Sequence, residues 1–254
     1  MQRGTVSERP WGLTLASLAA APGGGQLTLS ADDGKLYCVA FAGGAVVGAS
    51  SPLASDSAAR VALTSHLVLP SQVPALARAV AAAPGRDEVD VVAEVAELTG
   101  AQAAGLRRRL LLQRVARTFA VERGGYVFGE RITVATAPGI EVDAGPAIFL
   151  GVRMNLSQDR LAADLRRLGA RFVLRPGELD AARFGFTEHE RPILEALRSG
   201  TSLPDLEAKR RDLEPRLVQA VIYTLVAAGL CDGLAAAAGS AEPGDDDEVE
   251  AAIA

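Results

Sequence analysis

The chain has 254 residues, of which 49% are hydrophobic, 22% charged and only 4% aromatic, as in a soluble globular protein with one large domain or two smaller ones. The net charge is -5, but six of the 31 acids lie between Glu242 and Glu250, where there is no base. Without those six, 25 acids face 26 bases. A body this close to neutral excludes the broad basic surface of a general nucleic-acid-binding protein.

Other global features favour the cytoplasm. No apolar stretch approaches the roughly 20 residues that span a membrane, and the first residues, MQRGTVSERPWG, lack the apolar core of a secretory signal. Cys38 and Cys231 are too few for a disulfide framework. We therefore expect a cytoplasmic protein that does not act at a membrane.

The first third of the chain predicts a small antiparallel sheet. Gln26–Ser30 alternates polar and apolar residues with the period of a half-buried strand. Lys35–Phe41 and Ala45–Ser50 are two further strand candidates. Asp32-Asp33-Gly34 and Gly43-Gly44 separate the three runs with residues that favour tight turns. We expect a three-stranded meander.

A helical insertion is predicted from about residue 56 to 120, where the apolar period changes to that of helices. One helix is expected over 71–83. Thr99 and Gln102 have the spacing of a capping box, which predicts the start of another.

The insertion also contains a weak internal repeat at a spacing of 30 residues. Two similar helical units would explain it, and so would chance in an alanine-rich chain. The matching residues are Val61, Val68, Gln72, Leu76, Arg78 and Val80, which recur as Val91, Leu98, Gln102, Leu106, Arg108 and Leu110.

Strands return after the insertion, at Tyr126–Phe128 and Ile132–Val134, so the helical block interrupts a sheet. A connector then follows over 136–183. It contains a predicted helix beginning at Pro146, a second over Ser157–Leu168 and a strand over Arg171–Leu174.

The last predicted unit, 184–233, has three helices with a short middle member, which is the outline of a winged-helix-like unit. The helices are expected after Thr187, over Leu203–Arg211 and over Glu214–Ala228. The last would be the recognition helix of a DNA-binding unit, and its one predicted buried stripe consists of Leu217, Val221, Leu225 and Ala228. Residues 234–254 are rich in Ala, Gly and acids, and we expect them to form a disordered acidic tail.

These elements predict an α+β fold. An antiparallel sheet with a helical insertion fills residues 1–135, followed by the helical connector, the winged-helix-like unit and the tail.

No arrangement of residues in the sequence predicts catalysis, a metal or a cofactor. The two histidines and two cysteines are scattered without ligand spacing. The GGAVVGAS stretch at 43–50 resembles a phosphate loop, but Ala49 stands where the phosphate-binding lysine is required. We therefore expect no enzymatic activity and no bound cofactor.

Two basic groups are candidate binding sites. The densest cluster is predicted to lie on one helix, where it forms a solvated face, or binds an acidic protein partner or the chain's own acidic tail. It consists of Arg107, Arg108, Arg109, Arg114 and Arg117.

The second basic group belongs to the winged-helix-like unit and would serve an alternative function, DNA binding. Six bases face eight acids between Thr187 and Asp232, and this net charge of -2 favours protein contact or dimerisation over phosphate binding. The candidate DNA-binding residues are Lys209, Arg210, Arg211, Arg216 and Gln219.

The order of these elements resembles the PATAN family. The stretches GQLTLS and KLYCVAFAGGAVVGAS are similar to its opening strands, and GGYVF at 124–128 is similar to the aromatic strand that closes the module after a helical insertion. TEHERPILEALRSGTSLPDL and VIYTLVAAGL, from 187 on, resemble the winged-helix-like segment often found in these proteins. The resemblance implies a bacterial signalling or scaffold module that acts through protein partners and has no established catalytic residues.

The helical repeat is also similar to paired helical repeats of some secretion and pilus ATPases, a few of which bind cyclic di-GMP. Those motifs begin with R-L-G, whereas this chain has Arg60-Val61-Ala62 and Asp90-Val91-Val92. A cyclic-dinucleotide sensor is therefore the last of three hypotheses. The first is a non-enzymatic adaptor that binds a protein partner or a second copy of itself, and the second is a winged-helix transcription regulator.

Overall fold

A six-stranded antiparallel sheet forms the first layer of the molecule. The computed structural model describes residues 1–137, 139–177 and 180–235. The strands are β1 (Gln2–Thr5), β2 (Gly25–Ala31), β3 (Leu36–Ala42), β4 (Ala45–Ser50), β5 (Gly124–Gly129) and β6 (Val142–Asp143). The strand order is β1-β5-β2-β3-β4-β6, and β5 pairs between β1 and β2 although the insertion separates it from them in sequence. The predicted meander and the α+β class are confirmed.

Alternation along the strands decides which face of the sheet is buried. In β2, Leu27 and Leu29 are fully buried, whereas Thr28 is half-buried and Ser30 is exposed on the opposite face. An antiparallel sheet with one packed face and one solvated face has this pattern. The packed face is covered by helices, among them α1 (Trp11–Ala19).

The insertion between β4 and β5 is a four-helix block with a core of its own. Its members are α2 (Ala58–Thr64), α3 (Val73–Ala82), α4 (Glu88–Val95) and α5 (Gly100–Arg117). Ala103 and Leu106 of α5 belong to the core of the block, while Leu111 and Val115 of the same helix belong to the main core. The long helix α5 therefore anchors the block to the rest of the protein.

Two similar helix–turn–helix units make up this block, so the structure decides between the two explanations of the repeat in favour of similar units. His66 and Glu97 both take a left-handed conformation, with φ of 56° and 53°, after the first helix of each unit. The second helices begin at caps in which the side chains of Gln72 and Gln102 accept from the backbone three residues earlier. The caps are 30 residues apart, but the turns (66 and 97) are 31 apart.

The predicted pairing is therefore shifted by one residue in the first helices. At the end of α2 the carbonyl of Val61 accepts from Ser65 N, and at the end of α4 the carbonyl of Val92 accepts from Ala96 N. Val61 corresponds to Val92, and its predicted match with Val91 is wrong.

The connector lies at the centre of the molecule. Its helices are α6 (Ala144–Met154) and α7 (Gln158–Leu168), and α6 packs against α1, α5 and α10 (Pro215–Ala227). Gly12 N of α1 donates a 3.0 Å hydrogen bond to the buried hydroxyl of Tyr223 in α10. One apolar core therefore extends from the sheet through the connector into the C-terminal unit.

A strand from the connector completes the C-terminal unit. β7 (Arg171–Leu174) pairs with both β8 (Thr201–Ser202) and β9 (Cys231–Leu234), so it is the central strand of a second sheet. The helices of the unit are α8 (Arg191–Arg198), α9 (Leu203–Lys209) and α10. The three helices and the short middle member follow the prediction, but the predicted unit without β7 lacks the middle of its sheet.

Two predicted segments differ from the structure. Ile132–Val134 is not a strand, because this segment crosses the open face of the sheet, where Thr133 N and Val134 N both donate to the side chain of Gln26. The predicted tail begins too early, since Leu234 pairs with Arg171 in β9. Its remainder, 236–254, lies outside the described residues.

Candidate functional site

Two arginines of the predicted α5 cluster form hydrogen bonds and ion pairs with other segments of the protein. The guanidinium of Arg114 donates to the carbonyls of Asp56 and Ala49 at 3.1 and 3.2 Å and to Glu88 at 2.7 Å. Arg117 Nη2 donates to Asp56 Oδ1 at 2.9 Å, and Arg117 Nη1 donates to Asn155 at 3.0 Å. Both side chains join α5 to neighbouring segments, so neither is free to bind a partner.

Asp56, which these arginines approach, is a fully buried carboxylate at the point where the insertion leaves the sheet. Ser51 Oγ donates to it at 2.7 Å and Gln113 Nε2 at 2.9 Å, in addition to Arg117. Burial alone would raise the pKa of Asp56, but the hydrogen bonds from Arg117, Gln113 and Ser51 outweigh burial and hold that pKa below its usual value. The buried charge fixes α5 against the start of the block.

The other three arginines of the cluster divide into one paired and two exposed side chains. Arg107 forms ion pairs with Asp87 and Asp90 at the start of α4. Arg108 and Arg109 are exposed, and within the described part of the chain neither forms an ion pair. The five side chains therefore do not make one surface, and only Arg108 and Arg109 remain available to a partner.

Three of the candidate DNA-binding residues lie around the end of α9. Arg210 is held by Asp212 through hydrogen bonds of 3.1 and 2.9 Å. Lys209 and Arg211 are exposed and, among the described residues, form no ion pair. Two free cations beside an acid give a weak attraction for phosphates.

Arg216 and Gln219, the other two candidates, point into the protein. Arg216 caps the end of α6 by donating to the carbonyls of Val152 and Arg153 at 2.8 and 2.6 Å. Gln219 is buried and bonds to Gln158 and Glu207. The predicted recognition helix α10 is buried over nearly its whole circumference, which corrects the expectation of a single apolar stripe. It cannot enter a DNA groove in this conformation, because α6 and α7 pack against it.

A cleft opens where the first sheet, the connector and the C-terminal unit meet, and we call it the α1–α6 cleft. Its volume is about 390 Å³. Apolar residues, most of them alanine or glycine, supply most of its wall: Ala16, Ala19, Ala20, Gly44, Ala144, Gly145, Pro146, Ile148, Phe184, Ala228 and Leu230. Asp143, Asp180 and Arg183 are the charged residues that line it.

An ion pair lies at the rim of this cleft. Arg183 Nε and Nη2 donate to the two carboxylate oxygens of Asp143, both at 2.8 Å. The guanidinium lowers the pKa of Asp143 against the opposing effect of burial. Asp143 raises the pKa of Arg183 in return, and the charge of Asp180 adds to that rise. The two carboxylates therefore stabilise the positive charge of Arg183.

In comparisons with protein-family models, with curated proteins and with solved structures, the chain has no match. None of the described helices combines the length and apolar composition of a membrane-spanning helix. Among the described residues, no three His, Cys, Asp or Glu side chains converge as metal ligands do.

Sequence reasoning missed the residues that form the junction and the cleft. Asp56, Asp143 and Arg183 stand alone in the sequence, and the partners of the two aspartates lie 61 and 40 residues away. Nothing in the local pattern marks such pairs. For Asp56 the local sequence even points elsewhere, because Arg60 is the nearest base whereas the partner in the structure is Arg117.

Proposed function

We propose that this chain is a non-enzymatic adaptor of the PATAN type, which acts in the cytoplasm by binding another protein through its inserted helical block. The observation that supports this proposal is the state of Arg108 and Arg109. Both are exposed on a block with its own core, while the other arginines of the cluster are paired with acids. Arginine is enriched in protein interfaces, where its planar group binds carboxylates.

The rigidity of the block also supports a role in recognition. α5 belongs to both apolar cores, and Arg114 and Arg117 fix it to the chain that enters the block. A surface held in one geometry loses little conformational entropy when a partner binds.

Charge defines the kind of partner. Arg60 and Arg78 are also exposed and, like Arg108 and Arg109, form no ion pair within the described residues. Glu97 is the acid of the block that is likewise exposed and forms no ion pair within the described residues. The excess of unpaired cations suits an acidic protein surface, and such an association weakens as salt rises.

Affinity capture with charge-reversed variants tests the proposal. We expect a double variant, Arg108→Glu with Arg109→Glu, to lose a protein that the wild-type chain retains at low salt. Lys209→Glu with Arg211→Glu is the matched control, because it reverses two exposed charges that lie outside the block and form no ion pair among the described residues, and it should retain that protein. Equal capture by all three chains would place the binding surface elsewhere, and no capture above an empty resin would contradict the adaptor itself.

A further inference from the structure

The α1–α6 cleft has the size and setting of a small-molecule site. Its volume of about 390 Å³ lies within the range of roughly 300–1,000 Å³ that such pockets occupy. Residues of α1, α6 and the chain after α10 form it, so it lies where the sheet layer, the connector and the C-terminal unit meet. Ligand sites are frequent at boundaries between units of a fold. The adaptor function described above does not use this cleft.

The walls of the cleft are apolar, and their small side chains leave the volume open. Ile148 and Ala19 belong to the buried core, and Ala16, Ala20 and Ala228 line the cleft beside them. A planar or compact apolar body is the shape that would bury such walls, at a gain of roughly 25 cal/mol for each Å² removed from water.

The polar rim offers one specific kind of hydrogen bonding. Asp143 precedes the first turn of α6, and both of its carboxylate oxygens accept from the two nitrogens of one guanidinium. This two-point geometry fits a guanidinium or an amidinium, since each carries parallel N–H groups. Asp180 also lines the cleft, and its carboxylate accepts from the backbone N–H of Arg183 at 3.3 Å, so the cleft has two carboxylates and one guanidinium.

Arg183 occupies the carboxylate at an exposed rim. Its side chain is 61% exposed, and the exposed fraction of Asp143 is 38%. Water therefore competes for both partners and weakens the pair, although its two-point geometry makes it stronger than a single-point surface ion pair. A ligand that brings its own guanidinium could replace Arg183 on Asp143 and bury its apolar part at the same time.

We propose that the α1–α6 cleft binds a small organic cation in which a guanidinium or amidinium group is joined to an apolar body, and that Arg183 is the internal competitor for this site. An anion is disfavoured, because Asp143 and Asp180 together outweigh Arg183 and leave the cleft with one net negative charge. The partial positive charge at the start of α6 does not reverse this preference, since Asp143 itself lies at that end of the helix.

Calorimetric titration with ring compounds of one size tests the ligand class. Phenylguanidine and benzamidine are the cationic probes, benzamide is the neutral control and benzoate the anionic one. We expect both cations to bind at least about tenfold more tightly than benzamide, since each gains a charge-assisted two-point contact. Benzoate binding as tight as that of the cations, or equal binding of benzamide, would overturn the proposal.

Two variants test the residues with opposite signs. Asp143→Asn should weaken phenylguanidine binding by about tenfold or more, because the charged acceptor is lost. Arg183→Ala should tighten it, by up to about fivefold, because the competitor is removed. A merely structural ion pair would make both variants weaker binders. Asp212→Asn, which breaks the matched Arg210–Asp212 pair elsewhere, should leave binding unchanged.

Thermal unfolding must first show that each variant is folded. Should Asp143→Asn fail to fold, Arg183→Ala decides alone: tighter binding supports the proposal, and unchanged or weaker binding overturns it.

Discussion

Arg117 and Asp56 form a salt bridge across 61 residues of sequence, with Arg117 Nη2 2.9 Å from Asp56 Oδ1 and the carboxylate fully buried. Arg117 ends α5, and Asp56 lies where the chain enters the helical block. The pair therefore joins the first and last segments of the insertion and sets the position of the block on the sheet.

Removal of the arginine from this pair should strongly destabilise the protein. Arg117→Ala leaves a buried carboxylate without its main partner, and we expect a loss of about 3 kcal/mol in the free energy of unfolding. Urea denaturation measures it. Arg60→Ala, which removes an exposed arginine of α2, is the control and should change the free energy by less than about 0.5 kcal/mol. Equal effects would mean that the salt bridge contributes nothing to stability.

The same carboxylate should make the protein sensitive to acid. The folded pKa of Asp56 is lowered, so its hydrogen bonds stabilise the fold above the unfolded pKa and are lost as pH falls through the folded one. We expect the stability of the wild type to fall below about pH 4 more steeply than that of Asp56→Asn. Urea denaturation between pH 3 and pH 6 compares the two slopes. Equal slopes of stability against pH for the two proteins would contradict the lowered pKa of Asp56.

A pair of glycine substitutions should change stability in opposite directions. A Cβ at Gly151 of α6 would lie 2.2 Å from the ring of buried Phe119, so Gly151→Ala should cost about 1–3 kcal/mol. Gly105 of α5 is exposed, and apart from its chain neighbours and the adjacent backbone of α5 no atom lies within 4 Å of the added carbon, so Gly105→Ala should stabilise by up to about 1 kcal/mol. The melting temperature should be lower than that of the wild type for Gly151→Ala and higher for Gly105→Ala. Any other order would contradict the prediction.

Local signals were enough to predict the elements but not their contacts. Polar and apolar residues alternate over Gln26–Ser30 because only one face of the strand packs on the apolar core. Thr99 and Gln102 form a capping box within one helical turn. Both signals therefore lie in residues that are close in sequence. The burial of Arg114 and Gln219 depends on chain segments far away in sequence. Charge counting therefore overestimated how many arginines are free, and apolar periodicity underestimated how much of α10 is buried.

Asp164 should give the opposite pH dependence to that of Asp56. Only 4% of Asp164 is exposed; burial raises its pKa above the usual value, although Arg160 and Arg167 lower it in part. A raised carboxyl pKa means that stability is lost as pH rises through the folded value. The stability of Asp164→Asn relative to the wild type should therefore increase from pH 4 to pH 7. A difference that stays constant or shrinks over that range, measured by urea denaturation, would contradict the prediction.

The two cysteines should differ sharply in reactivity. Cys38 is half-buried on the open face of the sheet, whereas Cys231 is buried and burial raises its pKa to about 11. The thiolate is the reactive form, so at pH 8 a disulfide reagent should modify one thiol in the folded protein and the second only after denaturant is added. Cys38→Ser should abolish the fast reaction and Cys231→Ser should leave it unchanged. A fast reaction that survives Cys38→Ser would mean that the chain around β9 opens readily, because Cys231 lies in that strand.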